Sequence, residues 1–185
     1  MHIDTTSLPE VKVIALDIYG DSRGFFCERY VQEKFAALGF HEHFVQDNHS
    51  RSAPNVLRGL HFQHAPMQGK LVGVTRGRVL DVAVDIRPTS PNYLRHVAVE
   101  LSDDNGKLLW IPAGFAHGFC VLGDEPADLV YKLTAPYNAA GEAGIHYDDP
   151  RIGIDWPIAQ PLLSDRDKAA PSLAEIEPKL QEWFV

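Results

Sequence analysis

Three side chains in this sequence have the types and surroundings needed to move a proton at carbon: His61, Tyr131 and Lys70. His61 stands in Val56-Leu57-Arg58-Gly59-Leu60-His61-Phe62-Gln63. In an extended chain Gly59, His61 and Gln63 share one face, and Gly59 leaves room for a ligand beside the imidazole. Histidine titrates near neutrality and suits general-base work, although a single histidine is more commonly a satisfied core residue. Strict alternation sends Arg58 to the opposite face. Arg58 and His61 therefore serve one site only if the strand bulges or begins after Arg58. Lys70, in Gln68-Gly69-Lys70-Leu71-Val72, falls at the start of a predicted strand. Its ammonium can stabilise an enolate oxygen or a phosphate; the plainer role is a surface lysine with its stem on apolar neighbours. Tyr131 shares a face with Leu129 and Leu133 and is expected to point inward, as a general acid or as part of the core.

Other segments gather polar groups. Asp21-Ser22-Arg23-Gly24-Phe25-Phe26-Cys27-Glu28 flanks two aromatics with an arginine and a glutamate, a set able to stack a base and hold a phosphate. Gln46-Asp47-Asn48-His49-Ser50 and Glu142-Ala143-Gly144-Ile145 add further hydrogen-bonding groups. In Leu163-Ser164-Asp165-Arg166-Asp167, either Asp165 or Asp167 can orient a histidine by accepting its ring N–H. The run from Gly106 to Phe119 spells Gly-x5-Pro-x-Gly-x2-His, ending at His117, and resembles the second signature of the cupin superfamily. The metal-binding version needs an earlier His-x-His and a following glutamate. Here His61 and His64 lack both, which weighs against a metal centre.

These residues need strands to hold them. Leu80, Val82, Val84 and Ile86 alternate with Val79, Asp81, Ala83 and Asp85; Val97, Val99 and Leu101 alternate with His96, Ala98 and Glu100. Period two with turn signals at Arg76-Gly77, Pro88 to Pro91, Asp103 to Gly106 and Gly123 to Pro126 predicts an all-β sandwich or barrel. Helix is expected only at the periphery. One is predicted over Val31, Phe35 and Leu38 with Gly39 as its stop. Another is capped by Ser172 and Glu175, carries Leu173, Ile176 and Leu180 on one stripe, and is expected to be kinked or shortened by Pro178.

The 185 residues fit one domain, expected to span 1–185, with 45% hydrophobic and 23% charged residues. A net charge of −8 without a basic block argues against a nucleic-acid partner, while leaving room for a small phosphorylated ligand. No apolar run approaches a membrane span, the start lacks the pattern of a secretory signal, and two cysteines make no disulfide framework. The expected compartment is the cytoplasm.

Taken together, the segments from Asp21 to about Pro171 closely resemble the dTDP-4-dehydrorhamnose 3,5-epimerase family. The resemblance rests on Asp21-x-Arg23-Gly24-Phe25-Phe26-x-Glu28, Gln46 to Ser50, Val56 to Gln63, Gln68 to Val72, Asp81 to Arg87, Ile111 to Phe119 and Tyr131-Lys132. It implies a cupin-type jelly-roll barrel and a homodimer with N-terminal strands exchanged. It also implies no metal, no organic cofactor and a dTDP-sugar substrate. His61 is implied as base with Asp167 behind it, Tyr131 as acid on the opposite face, and Lys70 near the substrate oxygen. Arg23, Phe26, Glu28, Gln46, Asn48, Arg58, His117, Tyr137, Glu142 and Arg166 are implied as substrate contacts, Arg23 and Glu28 from across the dimer. Where the family often has lysine before the final aspartate, this chain has Arg166. Two other outcomes share these residues: a relative that epimerises a single carbon or shifts the ketone, and a non-catalytic cupin that binds a nucleotide sugar or a metal.

Overall fold

The computed structural model describes residues 1–184. Its strands are β1 (His2–Thr5), β2 (Lys12–Ala15), β3 (Ile18–Asp21), β4 (Gly24–Cys27), β5 (Gln46–Ser52), β6 (Leu57–Gln63) and β7 (Lys70–Arg76). They continue with β8 (Arg78–Asp85), β9 (His96–Ser102), β10 (Lys107–Ile111), β11 (Phe115–Leu122), β12 (Ala127–Leu133) and β13 (Glu142–Gly144). One sheet runs β1-β2-β10-β7-β12-β5 and the other β13-β6-β11-β8-β9, every pairing antiparallel; β3 and β4 form a separate hairpin. This is the expected jelly-roll barrel.

Alternation decides what each strand gives to the interior. On β12 Leu129, Tyr131 and Leu133 face the other sheet, with Leu129 buried against Val72, Val74, Leu109, Phe119 and Val121. On β8 Val79 and Ala83 enter the same core, while Val82 and Val84, with Ile86 just past the strand, turn outward under the C-terminal segment. Both faces of this second sheet are thus covered, which explains its nearly unbroken apolar run. The outer face of the first sheet is closed over Leu71, Leu108 and Trp110 by Phe35 and Phe40.

The helices are few: α1 (Gln32–Ala37), α2 (Asp165–Lys168) and α3 (Leu173–Phe184), with a 3₁₀ turn at Ala139–Gly141. Gly39, at φ +78°, ends the first helical segment as expected. The expectation that Pro178 shortens the last helix is corrected, because α3 continues through Pro178 to Phe184. Burying Leu173, Ile176 and Leu180 contributes roughly 1.5–3 kcal/mol for each side chain, against about 3 kcal/mol for an interior proline. Pro178 also lies on the exposed side, where water can satisfy the freed carbonyl. Ser172 and Glu175 cap the start, the Glu175 carboxylate accepting the Ser172 N–H at 2.8 Å.

Candidate active site

β6 carries the histidine, and its local path is irregular. His117 on β11 pairs with His61, but Phe119 pairs with Arg58, so three steps on β6 match two on β11. The extra residue is a bulge, and it turns Arg58 and His61 into one cavity. Gly59 makes the bulge possible. Its φ is +129°, and a Cβ there would meet the Gly118 Cα at 2.5 Å.

The cavity, about 200 Å³, lies between the two sheets at one end of the core. His61, His117 and Arg58 reach it from the second sheet. Lys70, Tyr131, Asn48 and Ser50 reach it from the first, and Tyr137 and Glu142 stand beside them. Volume does not select this site. A larger hollow of about 530 Å³ beside Cys27, Arg29, Tyr30 and Lys132 contains neither His61 nor Lys70.

His61 Nε2 lies 2.6 Å from Asp167 Oδ1. Of the two candidate aspartates it is therefore Asp167 that holds the ring; Asp165 instead approaches Lys168. Burial pushes the Asp167 carboxyl up, but hydrogen bonds from His61 and Ser164 outweigh it and hold the group below the usual carboxylate range. An ionised carboxylate only accepts, so His61 Nε2 carries the proton that faces Asp167, which in the neutral ring leaves the lone pair on Nδ1. That is the tautomer of a base whose far side is fixed.

Lys70 is enclosed, with Nζ 3.4 Å from the His61 carbonyl oxygen. Burial lowers its ammonium to about 8, against the attraction of Glu142 and Asp81. At neutral pH it is a cation in a low-dielectric site, where it acts strongly on nearby negative charge. His117 Nε2 lies 2.9 Å from Oδ1 of fully buried Asp81. Burial lowers the His117 pKa despite that partner, so the ring is neutral at neutral pH.

At the rim Glu142 Oε2 accepts Tyr137 Oη–H at 2.8 Å and Arg166 Nη1–H at 2.7 Å. Burial raises the Glu142 carboxyl, but Arg166 and Tyr137 bring it below its ordinary value. Gln46 accepts the Tyr137 backbone N–H at 2.8 Å and donates to Asn48 at 3.0 Å. Arg58 donates to Ser52 Oγ at 3.0 Å and also lines an adjoining cavity with Arg166 and Asp167.

Arg23, Phe26 and Glu28 are not brought into this cavity by their own chain. Arg23 and Phe26 flank a shallow hollow on the β3–β4 hairpin, and Glu28 is bound to Lys34. Among the described residues no group of three or more His, Cys, Asp or Glu side chains could hold a metal ion. His64 stacks on Trp183 with ring centroids 3.8 Å apart. Sequence reasoning gave no role to Asp81, Ser50 or Ser164. Ser50 was findable, because it continues the i, i+2 spacing of Gln46 and Asn48 along β5; Ser164 was findable from the Ser-x-x-Asp spacing of a helix cap.

A family model described as dTDP-4-dehydrorhamnose 3,5-epimerase matches residues 5–175. The chain belongs to the dTDP-4-dehydrorhamnose 3,5-epimerase family. It is 51% identical over 169 residues to the epimerase of that name from Shigella flexneri, covering 90% of this chain and 93% of the relative. A Legionella pneumophila 3,5-epimerase, solved in complex with dTDP-4-keto-L-rhamnose, superposes with a TM-score of 0.92. It is 49% identical, covering 97% of this chain and 96% of that one. A 3'-monoepimerase from Streptomyces bikiniensis, solved with dTDP-quinovose, is 34% identical with a TM-score of 0.88, covering 98% and 91%. The epimerase fold therefore hosts both double and single epimerisation. No helix among the described residues is long and apolar enough to cross a membrane.

Proposed function

We propose that this chain epimerises C3 and C5 of dTDP-4-dehydro-6-deoxy-D-glucose, giving dTDP-4-dehydro-L-rhamnose. One observation carries the reading: His61 and Tyr131 enter one cavity from opposite sheets, with the Lys70 ammonium in the same cavity. Both carbons flank the C4 ketone, so loss of either proton places charge on the ketone oxygen. His61 Nδ1 takes the proton, Lys70 stabilises the enolate oxygen, and Tyr131 Oη returns a proton to the other face of the ring. Inversion requires this two-sided arrangement; exchange alone does not. Arg58 and Arg166, beside the His61–Asp167 pair, suit the diphosphate of a nucleotide sugar. His117, Asn48, Gln46, Tyr137 and Glu142 contact the sugar or hold the rim.

The test is incubation of the keto-sugar with enzyme in heavy water, with the configuration of both carbons assigned by proton NMR. Wild type is expected to give deuterium and inversion at C3 and C5. Tyr131→Phe is expected to keep deuterium incorporation while losing inversion by about 10²-fold or more. Full inversion by that variant removes Tyr131 from the acid role. Inversion at a single carbon by wild type favours the second reading, a monoepimerase like the 34%-identical relative.

The reading includes a homodimer in which Arg23, Phe26 and Glu28 complete the partner's site. Its support is the β3–β4 hairpin, which pairs with no other strand and leaves Tyr19, Phe25 and Phe26 59%, 64% and 63% exposed. Within one chain β1 and β2 extend their own sheet beside β10, so the segment available for exchange is that hairpin. Light scattering is expected to return the mass of two chains; the mass of one removes this part of the reading. A cytoplasmic setting accords with Cys27 and Cys120 remaining free thiols.

A further inference from the structure

The Ser164 hydroxyl is used twice. It donates to Asp167 Oδ2 at 2.7 Å and accepts the backbone N–H of the same aspartate at 3.1 Å. Ser164 is the N-cap of α2, with extended φ and ψ of −69° and 160°. In an ordinary capping box the third helical residue sends its carboxylate back to the cap's backbone N–H. Here the carboxylate takes the cap's hydroxyl on one oxygen and the His61 ring on the other. Ser164 therefore joins the helix cap to the candidate base.

We propose that Ser164 is a positioning residue, locking Asp167 so that His61 is held as the Nε2–H tautomer with Nδ1 free to take a proton. This deepens the epimerase reading and rests on it for the catalytic role of His61. The need for such a lock follows from local structure. α2 is four residues long, a single turn with little rigidity of its own. What fixes the segment is backbone: Leu162 N–H donates to Asn55 O at 2.7 Å and Leu57 N–H donates to Leu162 O at 3.2 Å. Those bonds tie the chain two residues before Ser164 to the start of β6, the strand that carries His61. Ser164 passes that reference on to a carboxylate only 3% exposed. Without the hydroxyl, Oδ2 loses its side-chain donor, and Asp167 loses one of the contacts, beside the His61 ring and the Gly59 backbone N–H, that set its rotamer. A misoriented aspartate costs rate chiefly through the wrong imidazole tautomer.

Ser164→Ala, Ser164→Thr and wild type should be compared by the tautomer of His61, read from side-chain ¹⁵N NMR of the free protein, and by kcat and KM. Threonine keeps the hydroxyl, and the exposed position leaves room for its methyl. The Ala variant is expected to show a mixed tautomer, kcat lowered about 10- to 100-fold and KM within about twofold; Thr is expected to restore both readouts. An Ala variant that melts earlier but keeps the wild-type tautomer and kcat overturns the proposal, since that is the behaviour of a cap alone. A folded Thr variant that fails to restore the tautomer overturns it as well. The tautomer needs no substrate, so failure of this proposal is distinguishable from failure of the epimerase reading, which would appear as wild type inactive on the keto-sugar.

Discussion

His61→Ala is expected to lower turnover by about 10²- to 10⁴-fold and to abolish solvent-deuterium incorporation at both carbons. The two losses should coincide, because one lone pair at Nδ1 begins both exchanges. The fold should survive. His61 is partly exposed to the cavity with 26% of its side chain accessible, and its truncation leaves the apolar faces of both sheets intact. One cost is foreseeable: Asp167 then keeps Ser164 but loses the ring, and a buried carboxylate short of a donor costs about 1–3 kcal/mol. Circular dichroism and melting separate this loss from the chemical one. Normal deuterium incorporation by a folded His61→Ala protein would take His61 out of the mechanism.

Lys70→Met is the second large effect, with kcat expected to fall about 10²- to 10³-fold, the scale for removing one donor to a developing oxyanion. Methionine fills similar space, so KM should change far less. The native lysine also sets the alkaline side of the pH profile. With its ammonium lowered to about 8 by burial, activity should decline as pH rises through that value. Stability should move the other way. An unfolded chain keeps this proton to about the ordinary 10.5, whereas the folded one releases it near 8. Between those values the unfolded state binds more protons, so the contribution of Lys70 to folding stability grows with pH. A rate profile flat through pH 9, or a Lys70→Met profile that keeps the same limb, would contradict the assignment.

How much of this could be read in the sequence varies by element. β12 was transparent: Leu129, Tyr131 and Leu133 alternate cleanly, and the phenol faces inward. β6 was half legible. Period two placed His61, but strict alternation contradicted Arg58, and the bulge that reconciles them depends on the close approach of Gly59 to Gly118 on another strand. Local pattern cannot report a contact between residues so far apart in the chain. The choice between Asp165 and Asp167 stayed open in the residues alone for a related reason. Asp165 and Asp167 share one short turn, their spacing does not say which of them meets His61, and only the packing of that turn beside β6 brings Asp167 to the ring. Pro178 shows propensity overruled by the buried stripe of α3. Arg23, Phe26 and Glu28 were picked out as functional residues, yet their own chain sets Arg23 and Phe26 on an isolated hairpin and Glu28 just after it, away from the cavity.

With His61 and Tyr131, the base and acid of the proposed reaction, on different layers, their separation is a property of the architecture. Facing sheets stand about 10 Å apart, so how closely the His61 and Tyr131 side chains approach one another is set by how the two layers pack. The layers act as a gauge whose opening is set by packing along every strand. The Tyr137–Glu142–Arg166 cluster is held by side-chain hydrogen bonds at the rim, so changes there can reshape the mouth of the cavity while the spacing of the layers stays fixed.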